Sequence, residues 1–166
     1  NFTKEQADSA PIGYLDAANC SIIGGWAFDP DTNSSQIAVH FYKNGPAGSG
    51  TIVMGVETLG LRGDVNSYYG ISGNHGFTVF TPDSLKDNLA HNIYAYGINS
   101  NPNKGNSQLT NVITLGPCAP PAVTLTTQIQ SGSGTITSYS PSTGISCPGD
   151  CSEPYTASTY QYVKAT

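Results

Sequence analysis

The sequence predicts an all-β chain: a seven-stranded β-sandwich over residues 11–118, then a small, incomplete β module over residues 122–166. Three observations carry this. Apolar residues recur at every second position rather than every third or fourth. Clusters of Gly, Pro and Asn cut the chain into short segments. With 19 Gly and 11 Pro, long helices have few uninterrupted stretches to occupy.

The first two strands are expected over residues 12–17 and 21–29. In 36–43, Ile37, Val39 and Phe41 share one face and His40 and Tyr42 the other. Residues 51–57 put Ile52, Met54 and Val56 together, and 76–81 align Phe77 with Val79. Residues 91–97 alternate Ile93 and Ala95 against Tyr94 and Tyr96, and 108–115 close the block. Short helical turns fit 64–69 and 83–89, where Asp64 and Asp83 can cap. Seven such strands with these turns read as an immunoglobulin-like sandwich. Residues 119–121 follow as a Pro-rich linker, and residues 1–10 precede as a polar arm. In the second block, 123–127 and 134–138 suggest a hairpin over 130–133, with a third strand over 160–165. Three strands leave a sheet edge open.

Four cysteines allow three pairings. Cys147 and Cys151 close a small loop through Pro148 and Gly149, and Cys20 then pairs with Cys118 by elimination. Zinc would want two close pairs of ligands, and the chain has one. Disulfides point to an oxidising setting, extracellular or at the cell surface. Six Lys+Arg against 11 Asp+Glu give a net charge of −5, which offers no footprint for nucleic acid. No apolar run approaches the ~18–20 residues of a membrane span, so membrane insertion is not expected.

Five segments follow in order: Gly25-Trp26-Ala27-Phe28-Asp29-Pro30, Val39–Gly45, Arg62-Gly63-Asp64-Val65, Gly73-Asn74-His75-Gly76-Phe77 and His91–Tyr96. This string resembles a β-sandwich module of bacterial secreted proteins, patterned Gly-Trp-Ala-x-Asp-Pro, Arg-x-Asp-Val and Gly-x-His-Gly-Phe. The resemblance implies a module that stands beside glycan-handling enzymes. Its Asp-Gly turn is replaced by Asn44-Gly45, equally suited to a type I′ hairpin. Later, Ser131–Ser138, Gly144-Ile145-Ser146-Cys147 and Cys151-Ser152 are similar to the first half of the internalin-type B-repeat family, which implies a surface spacer or adhesive segment.

Asp29, Asp31 and Asn33 place oxygens at alternate positions, as at the start of a calcium loop. The distal Glu and the Gly of an EF-hand are absent, and the other reading is a polar turn capped by Asp29. Tyr68, Tyr69 and Asn74 are the candidate ligand-binding residues, the two tyrosines because they are read in a Gly/Asn-rich loop where exposure is expected. Trp26, in phase with Ile22, Gly24 and Phe28, reads as a core residue. Tyr42, Tyr94 and Tyr96 fit either an exposed band or the inner face of the other sheet. Arg62-Gly63-Asp64 spells an integrin tripeptide, but the reading taken is structural. Asp64 would cap a helical turn while Arg62 pairs with a carboxylate or carbonyl. His40, His75 and His91 would have to converge to hold zinc. No nucleophile elbow or spaced carboxylate pair argues for an enzyme. The expectation is a non-catalytic extracellular binding or adhesion module facing polysaccharide or cell-surface glycan. It would require no cofactor, with calcium as an option. The alternative is a structural subunit that forms a homo-oligomer or filament through an open sheet edge.

Overall fold

The computed structural model describes residues 8–140, 144–156 and 161–166. The chain divides into two compact units, Asn1–Cys118 and Ala119–Thr166. The first holds β1 (Ile12–Ala18), β2 (Ile22–Phe28), β3 (Ala38–Lys43), β4 (Thr51–Glu57), β5 (Gly60–Leu61), α1 (Gly63–Tyr69), β6 (Asn74–Phe80), β7 (His91–Gly97), β8 (Ser107–Gln108) and β9 (Ile113–Leu115). One antiparallel sheet runs β1-β2-β6-β5. The other runs β4-β3-β7, with β8 and β9 both paired to the far side of β7. This strand order is ABED against CFG, with one strand added beside C. The bridging cysteines differ from the antibody arrangement: Cys20 lies between β1 and β2, and Cys118 follows β9.

The period-two pattern fills the space between the sheets. Leu15, Ile23, Ala27 and Phe77 meet Val39, Phe41, Ile93 and Ala95, with the Phe41 and Phe77 rings edge to face at 5.6 Å. Tyr42, Tyr94 and Tyr96 are half-buried on the outer face of the second sheet. Tyr42 and Tyr96 pack ring to ring there. Ile52 departs from expectation. A bulge at Val53 pairs Ile52 with Tyr42 rather than continuing the phase of Met54. The side chain is thereby turned outward and exposed.

Four local expectations are corrected. Residues 44–50, not a two-residue turn, join β3 to β4. Asn44 has φ +60°, but it exchanges hydrogen bonds with Asn92 and so extends the pairing of β3 with β7. The strand expected over 108–115 breaks into β8 and β9. Between them Leu109 N–H donates to Ala95 O on one sheet, and Thr110 N–H donates to Gly13 O on the other. That crossing closes one side of the sandwich. Arg62 rather than Asp64 holds the N-cap position of α1, and Asp64 sits in its first turn. The turn over 83–89 shortens to a 3-10 turn at Asp83–Leu85, entered from Pro82.

The second unit holds β10 (Ala122–Thr126), β11 (Ile136–Ser140), β12 (Ser146–Cys147), β13 (Ser152–Thr156) and β14 (Tyr162–Ala165). The expected hairpin of β10 with β11 does not form. β10 pairs with β13, while β11 lies between β12 and β14. The Cys147–Cys151 loop reverses the chain so that β12 and β13 leave it toward different sheets. Tyr160, the expected start of the last strand, lies outside the described residues. Among the described residues of this unit, Ser138, Ile145 and Cys147 are buried.

Both disulfides are formed as expected, Cys20–Cys118 and Cys147–Cys151, and no cysteine is free. Such pairing belongs to an oxidising, extracellular-type environment. No described helix is long and apolar enough to cross a membrane. Residues 1–7 of the expected arm lie outside the described residues. Ser9 N–H donates to Asp31, and Asp8 accepts from the Asn99 amide.

Candidate functional site

On the outer face of the first sheet, β2 presents Ile22, Gly24, Trp26 and Phe28, while Ile23 and Ala27 point into the core. Trp26 is therefore not a core residue. The phase assigned from the sequence is right, but the core face is the opposite one. Both faces of β2 carry apolar side chains because α1 covers the end of the outer one.

α1 ends at Gly70, whose φ of +65° places it in the left-handed region that costs glycine nothing. The last turn sets Tyr69 against the sheet. Its ring centroid lies 5.6 Å from that of Trp26 and 5.1 Å from that of Phe28. Tyr68 packs edge-on against Tyr69 at 4.8 Å. Tyr68 is 82% exposed and Tyr69 42%. His75 lies under this cluster, 5.5 Å from Phe28, and one ring nitrogen bonds Ser72 O.

Arg62 forms the polar wall. Its Nε and Nη2 donate to the two carboxylate oxygens of Asp64 at 2.8 and 2.7 Å, and Nη1 donates to Asp16 at 2.7 Å. The hydrogen-bonded Arg62 guanidinium holds the Asp64 carboxyl down at about 2. The same bond, with the Asp16 contact, raises the guanidinium, although partial burial opposes this. The Arg62–Asp64 pair stays charged across ordinary pH. Gly76 makes the geometry possible, since a Cβ there would stand 2.9 Å from Arg62 Cγ. Trp26, Arg62, Asp64, Val65, Tyr68 and Tyr69 bound an open groove of about 390 Å³. Its lining combines aromatic rings with a planar donor–acceptor pair.

Of the expected ligand residues, Tyr68 and Tyr69 meet in this groove. Asn74 stands in β6 opposite Leu61 and is not among its lining residues. The sequence reading missed Trp26, Arg62 and Asp64 as site residues. No local signal separated the two faces of β2, because Gly24 on the outer face is matched by Gly25 on the inner one.

The expected calcium residues are placed apart. Asp29 is buried, and Asp31 N–H, Ser100 N–H and Ser100 Oγ all donate to its carboxylate. Burial pushes that carboxyl up, but the Ser100 and Asp31 hydrogen bonds outweigh it and hold it low. Asp31 lines a polar pocket with Asp8 and Lys104, and Asn33 lines a separate apolar one with Tyr69. Among the described residues no group of three or more His, Cys, Asp or Glu gathers as a metal site. His91 bonds Asp87 at 2.9 Å and Asn44 at 3.2 Å.

No protein-family model, curated protein or solved structure matches this chain.

Proposed function

We propose that the chain is a non-catalytic extracellular binding module whose first unit holds glycan at the Trp26–Tyr68–Tyr69 groove. The observation that supports this is the exposed tyrosine pair beside the Arg62–Asp64 fork. A pyranose ring is amphipathic. Its C–H face suits an aromatic platform, and its hydroxyls suit a carboxylate that keeps free lone pairs. The two disulfides agree with this reading, as does the resemblance of the Gly25–Pro30, Arg62–Val65 and Gly73–Phe77 string to modules of secreted bacterial proteins. Native affinity gels containing neutral polysaccharides test it. Tyr68→Ala removes an exposed ring without touching the core and should weaken retention about tenfold, the worth of ~1.4 kcal/mol of aromatic contact. Equal mobility with and without every polysaccharide would end the proposal.

A second reading rests on the second unit. All four residues of β14 are exposed, β14 is an edge of its sheet, and Tyr139 and Tyr162 pair on the surface. Such an edge can accept a strand from a neighbour and build a fibre or surface layer. Light scattering decides: a mass that grows with concentration supports assembly, and a constant monomer mass opposes it.

A further inference from the structure

We infer that the site continues past Arg62 and takes an extended, uncharged polysaccharide chain rather than a single sugar; this rests on the glycan reading above. Arg62 lines two grooves, the aromatic one and a larger one of about 750 Å³ that combines the outward residues Asp16, Ile22, Gly24 and Thr78 with Val56 and Val79 packed against the core.

The floor between them lacks bulk. Across the sheet Trp26 pairs with Gly76, Gly24 with Thr78 and Ile22 with Phe80. From the Trp26 level to the Ile22 level is four residues, ~13 Å along the strand, longer than one pyranose ring. The Arg62 stem lies over Gly76 and its head reaches Asp16, so the residue forms a low polar bar between the grooves rather than an end wall.

The edge of the sheet is also open here. β5 pairs with β6 only at Gly76 and Asn74, so Phe77–Phe80 have no strand on that side among the described residues. Their backbone groups there can serve sugar hydroxyls. The opposite side of the sandwich is the one closed by the 109–112 crossing.

The charges favour a neutral chain. Arg62 is the cation of both grooves, and it is already paired with Asp16 and Asp64. Glu57 adds a further carboxylate to the larger groove. A uronic-acid chain would meet net negative charge, whereas hydroxyls meet acceptors.

Calorimetric titration of the whole chain with gluco-, xylo- and manno-oligosaccharides, from disaccharide to hexasaccharide, tests the inference. For at least one series, affinity should rise about tenfold in total with length, while oligogalacturonides of equal length should bind far more weakly. Thr78→Tyr fills the far groove from an exposed, outward position. It should abolish the length dependence and leave disaccharide binding unchanged, whereas Tyr68→Ala should weaken both. If Thr78→Tyr loses its cooperative melt, the length series on the unaltered chain still decides. Affinity independent of length, or equal affinity for oligogalacturonides, overturns this inference but not the glycan reading. Failure of every saccharide to bind overturns both. A dimer dispersed by Phe80→Glu, a residue 86% exposed, would assign the open edge to a second copy instead.

Discussion

Asp29 lies fully buried just after β2, with three donors converging on its carboxylate. Asp29→Ala leaves those donors without an acceptor and should cost about 2–3 kcal/mol, read by urea denaturation. The pH dependence has a definite sign. Asp29, Asp64 and Asp87 all have folded values below the ordinary carboxylate value. Their contribution is therefore complete above the unfolded value of ~4 and is lost as pH falls through the folded values. For Asp64 that window extends down to about 2. Circular dichroism melts should show the midpoint of the first unit dropping between about pH 4 and pH 2. Asp29→Asn should flatten part of that slope, and an unchanged slope would contradict the assignment.

At the scale of elements, α1 is seven residues long, too short to hold itself without tertiary contacts. Val65 and Tyr69 anchor it to the sheet, and Gly70 ends it. Gly70→Ala forces a Cβ into the left-handed region, at a cost of about 1 kcal/mol. The same change should loosen the last turn, so glycan retention should fall along with the melting midpoint. A variant that melts lower but binds normally would show that the platform does not depend on the turn. The β4 bulge and the short β5 each change one strand edge. One turns Ile52 outward, and the other leaves Phe77–Phe80 of β6 without a strand, among the described residues, on the side away from β2.

For the whole molecule, the two disulfides have unequal reach. Cys20 and Cys118 are 98 residues apart and enclose nearly all of the first unit. Replacing both with Ala should lower its stability by about 4–5 kcal/mol in the chain-entropy treatment, measured by chemical denaturation. Cys147 and Cys151 are 4 residues apart and constrain only their own turn. The second unit buries few side chains, so its amides in β10 and β14 should exchange with deuterium far faster than those of β2, β3 and β7. Equal protection in both units would overturn that ranking.

The alternation of Val39 with Phe41 and of Ile93 with Ala95 made the strands and the sandwich legible from the sequence, while the place of Tyr42, Tyr94 and Tyr96 stayed open. The two cysteine pairs were legible from spacing. Both rest on local information, a period of two and a count of thiols. Tyr68 and Tyr69 could be marked as exposed from the surrounding Gly and Asn, although they stand in the last turn of α1 and not in a loop. The choice of core face on β2 was not legible, because Ile22, Trp26 and Phe28 look as apolar as the side that faces inward. Only the tertiary structure decided it, by laying α1 over one end of the outer face and by drawing Arg62 across Gly76 to Asp16. Those contacts join residues far apart in the chain, and a hydrophobic period carries no information about what covers a face.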